Sequence, residues 1–193
     1  TLILFLTDNG ACPEQPNTTP KIPPGPVESY RTVSVGWANA SNTPYRRFKS
    51  TDYEGGTRTP FIAHWPSVIK PGMTDQVGHI IDISATFRDI TGAKYPKVIN
   101  GKKTKLPIGK SLLPIFEGKK REPHKELYWH FGRANAIRQG DLKAVRQGKT
   151  PWELYNLKDD PSEMNNLAKT NQAKTKELAK MWESWSKEIK SRP

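Results

Sequence analysis

The sequence has very little cysteine and contains no long apolar segment. Cys12 is the only cysteine among 193 residues, which excludes an internal disulfide framework. No apolar run approaches the roughly 18 residues that a membrane-spanning helix requires, so we expect no membrane span. The sequence also lacks internal repeats. These absences argue against a disulfide scaffold, a membrane-spanning protein and a repeat array.

Positive charge is in excess: 31 basic residues stand against 19 acidic ones, and the formal net charge is +12. Such an excess suggests anionic partners, whether nucleic acid, an anionic glycan or a membrane surface. The charge is dispersed, however, and no nucleic-acid-binding motif accompanies it. The sequence therefore predicts a solvated basic surface without a nucleic-acid partner.

The first candidate site follows an apolar run at residues 2–6. Five consecutive apolar residues end at Asp8, Asn9 and Gly10, which predicts a strand buried on both faces of a mainly parallel sheet. Ligands of open α/β sheets bind beyond the carboxyl ends of the strands, and Asp8 and Asn9 offer the oxygen ligands that Ca²⁺ or Mg²⁺ prefers. An Asx turn that closes a core strand is the alternative, and these residues alone favour it.

Residues 1–118 are predicted to form one α/β layer. Further strands are expected at 61–65 and 77–81, and a helix at 82–90 is expected to end at Gly92. A central parallel strand needs neighbours on both sides, and too few strand candidates follow to supply them. We therefore expect this chain to be the C-terminal part of a longer protein. His124, in a basic loop beyond this layer, is expected to be solvated.

Residues 119–193 are predicted to form a small C-terminal α+β subdomain. Short strand candidates at 126–131, 134–139, 142–146 and 152–155 are separated by turns, which indicates an antiparallel sheet. Asp160-Pro-Ser-Glu163 has the pattern of a helix N-cap and predicts a short helical turn. The final helix, from about 171 to 190, places Leu178, Trp182, Trp185 and Ile189 on one face.

A second candidate site is the segment from Lys49 to Pro60. Lys49 stands five residues before Glu54-Gly55-Gly56, and a glycine pair lets the backbone approach a ligand closely. A lysine ammonium suits the oxygens of a tetrahedral anion, and a divalent cation beside it would share the neutralisation of a leaving sulfate or phosphate. Taken alone, Lys49 is better explained as a solvated surface lysine.

The order of several motifs resembles a known family. The motifs are Leu-Thr-Asp-Asn-Gly at 6–10, Gly-Trp-Ala-Asn-Ala-Ser-Asn-Thr-Pro-Tyr at 36–45, Lys-x4-Glu-Gly-Gly-x-Arg-x-Pro-Phe-Ile-x-x-Trp-Pro at 49–66 and Trp-Glu-Leu-Tyr-Asn-Leu-Lys-Asp-Asp-Pro-Ser-Glu-x-Asn-Asn-Leu at 152–167. Together they are similar to the C-terminal half of a sulfatase of the arylsulfatase-like branch. The similarity covers nearly the whole chain.

The resemblance implies part of an alkaline-phosphatase-like α/β domain, with a mainly parallel sheet flanked by helices and a small C-terminal antiparallel sheet with a terminal helix. It implies hydrolysis of sulfate esters, either aryl sulfates or sulfated glycans, at a Ca²⁺ site, with Mg²⁺ as the alternative cation. Asp8 and Asn9 match two metal ligands of the family, and Lys49 matches the lysine that contacts the sulfate group. Tyr53 stands where some relatives carry a histidine. The family suggests a periplasmic, secreted or lysosomal location and leaves the oligomeric state open.

The family's nucleophile is absent from these residues. Sulfatases use a formylglycine made within a Cys/Ser-x-Pro-x-Arg motif, and Cys12, which Pro13 follows directly, does not match it. The resemblance therefore implies that the nucleophile and an earlier pair of aspartate ligands lie upstream of Thr1. We expect this chain alone to be inactive and to bind calcium weakly, since two ligands leave most of a coordination shell to water.

Two other functions are compatible with the same residues. A phosphoesterase or phosphonate-ester hydrolase of the same superfamily would share the metal and the lysine, and the upstream nucleophile motif would separate it from a sulfatase. A non-catalytic basic module that binds sulfated glycans would instead show salt-sensitive binding that survives Lys49→Ala.

Overall fold

A computed structural model describes residues 1–14, 21–29, 31–105 and 107–190, which fall into two compact units. One unit comprises residues 1–6 and 61–124, and the other comprises residues 7–60 and 125–193. The second unit therefore combines the segment that contains Asp8, Asn9 and Lys49 with the C-terminal residues. The domain division between residues 118 and 119 stays a prediction.

The first unit contains a two-stranded antiparallel sheet. Strand β1 (Ile3–Leu6) pairs with β2 (Phe61–His64), and β2 confirms the strand expected at 61–65. The expectation that β1 is buried on both faces is wrong for this chain, because Ile3 and Phe5 are 56% and 62% exposed. Among the described residues, β1 pairs only with β2. The expectation fails because an apolar run in the sequence does not show which face of a strand is covered.

The remaining elements of this unit are short. Helix α3 (Asp82–Thr91) ends at Gly92, whose φ of 70° is left-handed, as the sequence predicts. Helix α3 is followed by a hairpin of two strands, β3 (Val98–Ile99) and β4 (Lys102–Lys103), and then by helix α4 (Leu113–Phe116). The strand expected at 77–81 is wrong. There, the carbonyl of Val77 accepts a hydrogen bond from the side chain of Arg121, and the amide of His79 donates to the carboxylate of Asp82, so side chains replace a neighbouring strand.

The polar centre of the first unit is the buried carboxylate of Asp82. Four groups donate to it at 2.8–2.9 Å: the amides of His79 and Lys110 and the side chains of Arg121 and His124. Burial alone would raise the pKa of Asp82, but these donors outweigh burial and hold the pKa below its usual value. The expectation that His124 is solvated is wrong, because its side chain is 8% exposed. Its partner lies 42 residues away in sequence, beyond the reach of local patterns.

The second unit is built on a four-stranded antiparallel sheet, as predicted. Its strands, in spatial order, are β5 (Glu126–Phe131), β6 (Ala134–Gln139), β7 (Leu142–Gln147) and β8 (Glu153–Asn156). Helix α5 (Gln172–Lys190) follows the sheet, and the helices α1 (Ser34–Ser41) and α2 (Glu54–Thr57) precede it in the chain. Within the described part of the chain, no helix is long and apolar enough to cross a membrane.

Both faces of this sheet are covered. On one face Ile137, Ala144 and Leu154 pack with Leu178 and Trp182 of α5. On the other face, Ala136, Val145 and Tyr155 pack with Tyr53, which directly precedes α2. Because successive residues of a strand point to opposite faces, the segment around Tyr53 and the helix α5 enclose the sheet between them. The sheet is thus the scaffold on which the Lys49–Pro60 segment rests.

We expect Leu178→Ala to destabilise the second unit. Leu178 is fully buried against the sheet, and truncation of a buried leucine costs about 2–5 kcal/mol through lost burial and the cavity that remains. Urea denaturation monitored by tryptophan fluorescence would measure the loss. Lys180→Ala, an exposed position on the same helix, should change the free energy of unfolding by less than about 0.5 kcal/mol. Equal midpoints for the two variants would contradict this packing.

Candidate active site

The loop that follows β1 packs directly against the double glycine. The amide of Gly10 donates to the carbonyl of Gly56 at 3.1 Å. A Cβ atom at Gly10 would lie 1.8 Å from the carbonyl oxygen of Gly55, so this close approach of two backbones requires glycine. The loop that carries Asp8 and Asn9 is therefore held against the start of α2.

The same loop also contacts the Lys49 segment. The amide of Lys49 donates to the carbonyl of Ala11 at 3.1 Å. The structure thus brings together the backbone of the Asp8–Asn9 loop and the backbone of Lys49, 38 or more residues later in the chain. The roles of Asp8 and Asn9 as metal ligands and of Lys49 as a sulfate contact stay predictions.

The oxygen atoms of Asp8 and Asn9 are uncommitted. Asp8 is exposed and Asn9 is half-buried, and neither side chain has a hydrogen-bond or ion-pair partner among the residues that the structure describes. A carboxylate and an amide oxygen side by side form a donor set that a hard cation such as Ca²⁺ accepts. Within the described ranges, no group of three or more His, Cys, Asp or Glu could hold a metal ion. Asp8 and Asn9 would thus supply only part of a coordination shell.

Lys49 forms a weak ion pair, and residues with a strained backbone lie on both sides of it in the chain. Its ammonium lies 3.8 Å from Glu14, and the two side chains are 36% and 59% exposed, so this pair contributes little stability. Arg47 and Ser50 have φ angles of 69° and 70°. Non-glycine residues in this left-handed region cost on the order of 1–3 kcal/mol each and cluster at functional sites. The lysine is thus presented by a constrained backbone while its amine remains available to an anion.

A buried ion cluster beneath this segment escapes the sequence analysis. Lys143 of β7 is fully buried, and its ammonium lies 2.8 Å from Glu54 and 3.1 Å from Glu163. Glu163 also accepts a hydrogen bond from the amide of Glu54 at 2.6 Å. Burial alone would lower the pKa of Lys143, but the two carboxylates outweigh burial and raise it. Lys143 is therefore charged, and it ties Glu54, next to the double glycine, to the sheet.

Glu163 differs from its predicted role. The pattern Asp160-Pro-Ser-Glu163 predicts a helical turn with Glu163 near its start, but residues 161–162 form only a turn. Glu163 has a φ of 57° and is fully buried beside Lys143. Burial raises the pKa of Glu163 despite the attraction of Lys143. The predicted helical turn is absent. Asp160 still accepts hydrogen bonds from the amides of Met164 and Asn165, whereas Glu163 is ion-paired with Lys143 at 3.1 Å in the buried cluster.

Asp52 is a buried carboxylate with an unsatisfied oxygen. It is 4% exposed, and its Oδ2 atom has no hydrogen-bond partner within the described residues. Burial raises the pKa of Asp52 to about 6, although Lys143 and His130 partly oppose this shift. Asp52 therefore takes up a proton on mild acidification.

Tyr53, in front of Glu54, is committed to the scaffold. Its hydroxyl donates to Glu153 at 2.9 Å, and Glu153 also accepts hydrogen bonds from Tyr155 and Arg46. Burial and the bond to Glu153 raise the pKa of Tyr53 to about 12. Tyr53 thus anchors the segment to β8 as a neutral side chain.

A family model supports the resemblance found in the motifs. The model for the C-terminal region of N-sulphoglucosamine sulphohydrolase matches residues 46–191. The chain belongs to the sulfatase family. The matched part of this sulfatase includes Lys49 and the buried ion cluster, and the chain represents a C-terminal portion of the family's fold.

Relatives of known name agree with this assignment. The chain is 31% identical to an uncharacterized sulfatase of Schizosaccharomyces pombe, over 94% of this chain and 37% of that protein. It is 32% identical to an N-acetylglucosamine-6-O-sulfatase of Bacteroides thetaiotaomicron, over 72% of this chain and 26% of that protein.

A solved structure supports the fold. The crystal structure of Ps i-CgsB in complex with k-i-k-neocarrahexaose has a TM-score of 0.69 and 26% identity to this chain, over 96% of this chain and 36% of that one. The predicted α/β class is thus confirmed, with an alkaline-phosphatase-like fold, a small C-terminal antiparallel sheet and a terminal helix. The sulfatase chain spans about a quarter to just over a third of the length of these relatives.

We expect Asp52→Asn to stabilise the sulfatase chain above pH 6. The folded-state pKa of Asp52, about 6, lies above its usual value of 3.8, so the ionised form is disfavoured in the folded state. The destabilisation by this carboxylate is absent below about pH 4, grows as the pH rises through 6 and is complete above it. A difference of about two units corresponds to on the order of 3 kcal/mol. Urea denaturation at pH 4, 5, 6 and 8 would measure this dependence.

The matched control for this prediction is Asp141→Asn, which changes an exposed carboxylate in the turn between β6 and β7. It should leave the pH dependence of the free energy of unfolding close to that of the wild type. If Asp52→Asn gains no stability at pH 8 relative to pH 4, Asp52 is not a destabilising buried charge.

Proposed function

We propose that this chain supplies part of the active site of a sulfuric ester hydrolase, with Asp8 and Asn9 as Ca²⁺ ligands and Lys49 as the contact to the sulfate oxygens. The observation that supports this most directly is the hydrogen bond from the Lys49 amide to the Ala11 carbonyl at 3.1 Å. It joins the two loops that the motifs single out. A site that needs a cation and a lysine at one sulfate group requires this proximity.

Asp8 and Asn9 would hold the cation through the carboxylate and the amide oxygen. They directly precede Gly10, whose backbone is packed on Gly55, so their own backbone cannot shift freely. When bound, Ca²⁺ would contribute positive charge beside the sulfate group. Mg²⁺, which also takes oxygen ligands, is the alternative cation.

Lys49 would bind and orient the sulfate group. Its ammonium has three N–H donors and a compact charge, which suit the oxygens of a tetrahedral anion. The loose pair with Glu14 is weak enough for a sulfate ester to displace it. In the transition state, this fixed positive charge would stabilise negative charge that builds up as the ester bond breaks.

The rest of the machinery would come from residues outside these 193. The sequence has no Cys/Ser-x-Pro-x-Arg motif, and the named relatives are roughly three to four times as long as the part that this chain matches. We place the formylglycine nucleophile and the remaining metal ligands in a preceding segment of the same protein. The 193-residue chain alone is then inactive.

The substrate class that we favour is a sulfated glycan. One relative is named for N-acetylglucosamine 6-O-sulfate chemistry, and a structural neighbour is bound to an oligosaccharide. The formal charge of +12 adds a general attraction to anionic polymers. An aryl sulfate is the alternative substrate within the same reaction.

Lys49→Ala in the full-length protein should lower kcat by about 10²–10³-fold, because it removes a charge aimed at the reacting group. The assay would follow desulfation of a sulfated glycan and of a chromogenic aryl sulfate. Lys149→Ala, an exposed lysine of the β7–β8 loop, is the matched control and should keep kcat within twofold. Activity of Lys49→Ala close to wild type would remove Lys49 from the site.

The same experiment separates the rival functions. Turnover of phosphate or phosphonate esters without turnover of sulfate esters would indicate the related phosphoesterase activity. Salt-sensitive heparin binding that Lys49→Ala leaves unchanged, without any turnover, would indicate a non-catalytic basic module.

Asp8→Ala should weaken Ca²⁺ binding to the full-length protein at least tenfold, because it removes a charged oxygen ligand from the shell. Isothermal titration calorimetry would measure the dissociation constant. Asp141→Ala removes an exposed carboxylate elsewhere in the same unit and should leave the constant unchanged. If the two variants bind Ca²⁺ equally well, Asp8 is not a ligand.

A further inference from the structure

Asn42 links the two loops of the candidate site through its side chain. Its Oδ1 atom accepts a hydrogen bond from the amide of Ala11 at 3.0 Å. Its Nδ2 atom donates to the carbonyl of Arg47, also at 3.0 Å. One amide side chain thus contacts the loop that carries Asp8 and Asn9 and the segment that presents Lys49.

These bonds close a ring. The Lys49 amide donates back to the carbonyl of Ala11, so the ring runs from Ala11 through the Asn42 side chain to Arg47 and returns through Lys49. Besides the hydrogen bond from the Gly10 amide to the Gly56 carbonyl at 3.1 Å, this closed ring restrains the separation and the relative orientation of the two loops. Asn42 supplies two of the three hydrogen bonds that close this ring.

The backbone of Asn42 is itself fixed. Asn42 caps the C-terminus of α1, its amide donates to the carbonyl of Asn39 at 3.2 Å, and its carbonyl accepts from the amide of Tyr45 at 2.8 Å. The side chain faces Gly10, where an added Cβ would lie 3.2 Å from its Nδ2 atom. The amide group is therefore pre-oriented before any ligand binds.

Asn42 also forms a hydrogen bond to the strained backbone of the Lys49 segment. The carbonyl that it binds belongs to Arg47, whose φ is 69°. A residue in this conformation persists only where its surroundings fix it. The hydrogen bond from Asn42 is one such restraint, and Lys49 lies two residues further along the chain.

We infer that Asn42 is a positioning residue, which sets the distance between the oxygen ligands of Asp8 and Asn9 and the amine of Lys49. This inference rests on the proposed function, since it assigns Asn42 a role in the same site. When a residue that orients metal ligands without itself binding the metal is removed, metal affinity or activity falls by about 10–100-fold. Misplacement of a catalytic group by about 1 Å can cost about 10²-fold in rate.

Two variants separate the two hydrogen bonds. Asn42→Ala removes both of them. Asn42→Asp keeps an oxygen acceptor for the Ala11 amide but places a carboxylate oxygen where the donor to the Arg47 carbonyl was. Asn39→Ala is the matched control, because its side-chain amide donates to the carbonyl of Val35 within α1 and has no hydrogen bond with either loop among the described residues.

In the full-length protein, we expect Asn42→Ala to raise the Ca²⁺ dissociation constant about tenfold and to lower kcat about 10–100-fold, with KM changed less than threefold. Asn42→Asp should keep the Ca²⁺ constant within threefold of wild type and still lower kcat at least tenfold. A merely structural role would lower thermal stability without this split between the variants. Values of kcat and Ca²⁺ affinity for Asn42→Ala within twofold of those for Asn39→Ala would overturn the inference.

Amide hydrogen exchange tests the inference without turnover. The amides of Ala11 and Lys49 should exchange at least tenfold faster in Asn42→Ala, while the Ala11 amide stays protected in Asn42→Asp. If the wild-type protein hydrolyses no sulfate ester, the proposed function fails and this measurement still decides whether Asn42 couples the loops. Unchanged exchange at both amides in Asn42→Ala would refute the coupling.

Discussion

The candidate site depends on the ion pairs of one buried group, the ammonium of Lys143. It lies between Glu54 and Glu163 with no exposure to solvent, and removal of one member of such a group leaves an uncompensated buried charge that costs on the order of 3–5 kcal/mol. Glu54 begins α2, so the cluster fixes the position of Gly55 and Gly56 relative to the sheet. A charged group in the core of the second unit thus determines where a surface loop can lie.

Close backbone packing carries this constraint outward. A Cβ at Gly55 would lie 2.2 Å from the carbonyl oxygen of Arg47, and one at Gly10 would lie 1.8 Å from that of Gly55. The backbones around Gly10, Arg47 and Gly55 therefore meet directly. Contacts of this kind transmit position with little freedom, because no rotamer change can absorb a shift. The Asp8–Asn9 loop is in this way located by the sheet of the C-terminal residues.

The sequence analysis predicts those features that depend on local patterns. The four strands of the C-terminal sheet, α3 with its Gly92 cap and α5 follow from periodicity and turn residues, and the motifs around Asp8 and Lys49 indicate the family. Features that depend on distant partners are not predictable in this way. Lys143 resembles an ordinary strand lysine until Glu54, 89 residues earlier, is known to lie beside it. His124 and Asp82 form a second example, and the exposed face of β1, with Ile3 and Phe5, is a third.

The polar groups of the scaffold are paired with one another, whereas those of the candidate site are uncommitted or weakly paired. Beneath the loops, Lys143 is ion-paired with Glu54 and Glu163, and Tyr53 is bonded to Glu153. At the surface, the oxygens of Asp8 and Asn9 are uncommitted among the described residues, Lys49 is paired only at 3.8 Å, and Arg47 and Ser50 hold left-handed backbone. Uncommitted oxygens and strained residues would rearrange if the surrounding structure were flexible, so such a surface requires a rigid base. A site that must bind both a cation and an anion needs this arrangement, because groups that already satisfy one another have nothing left to offer a ligand.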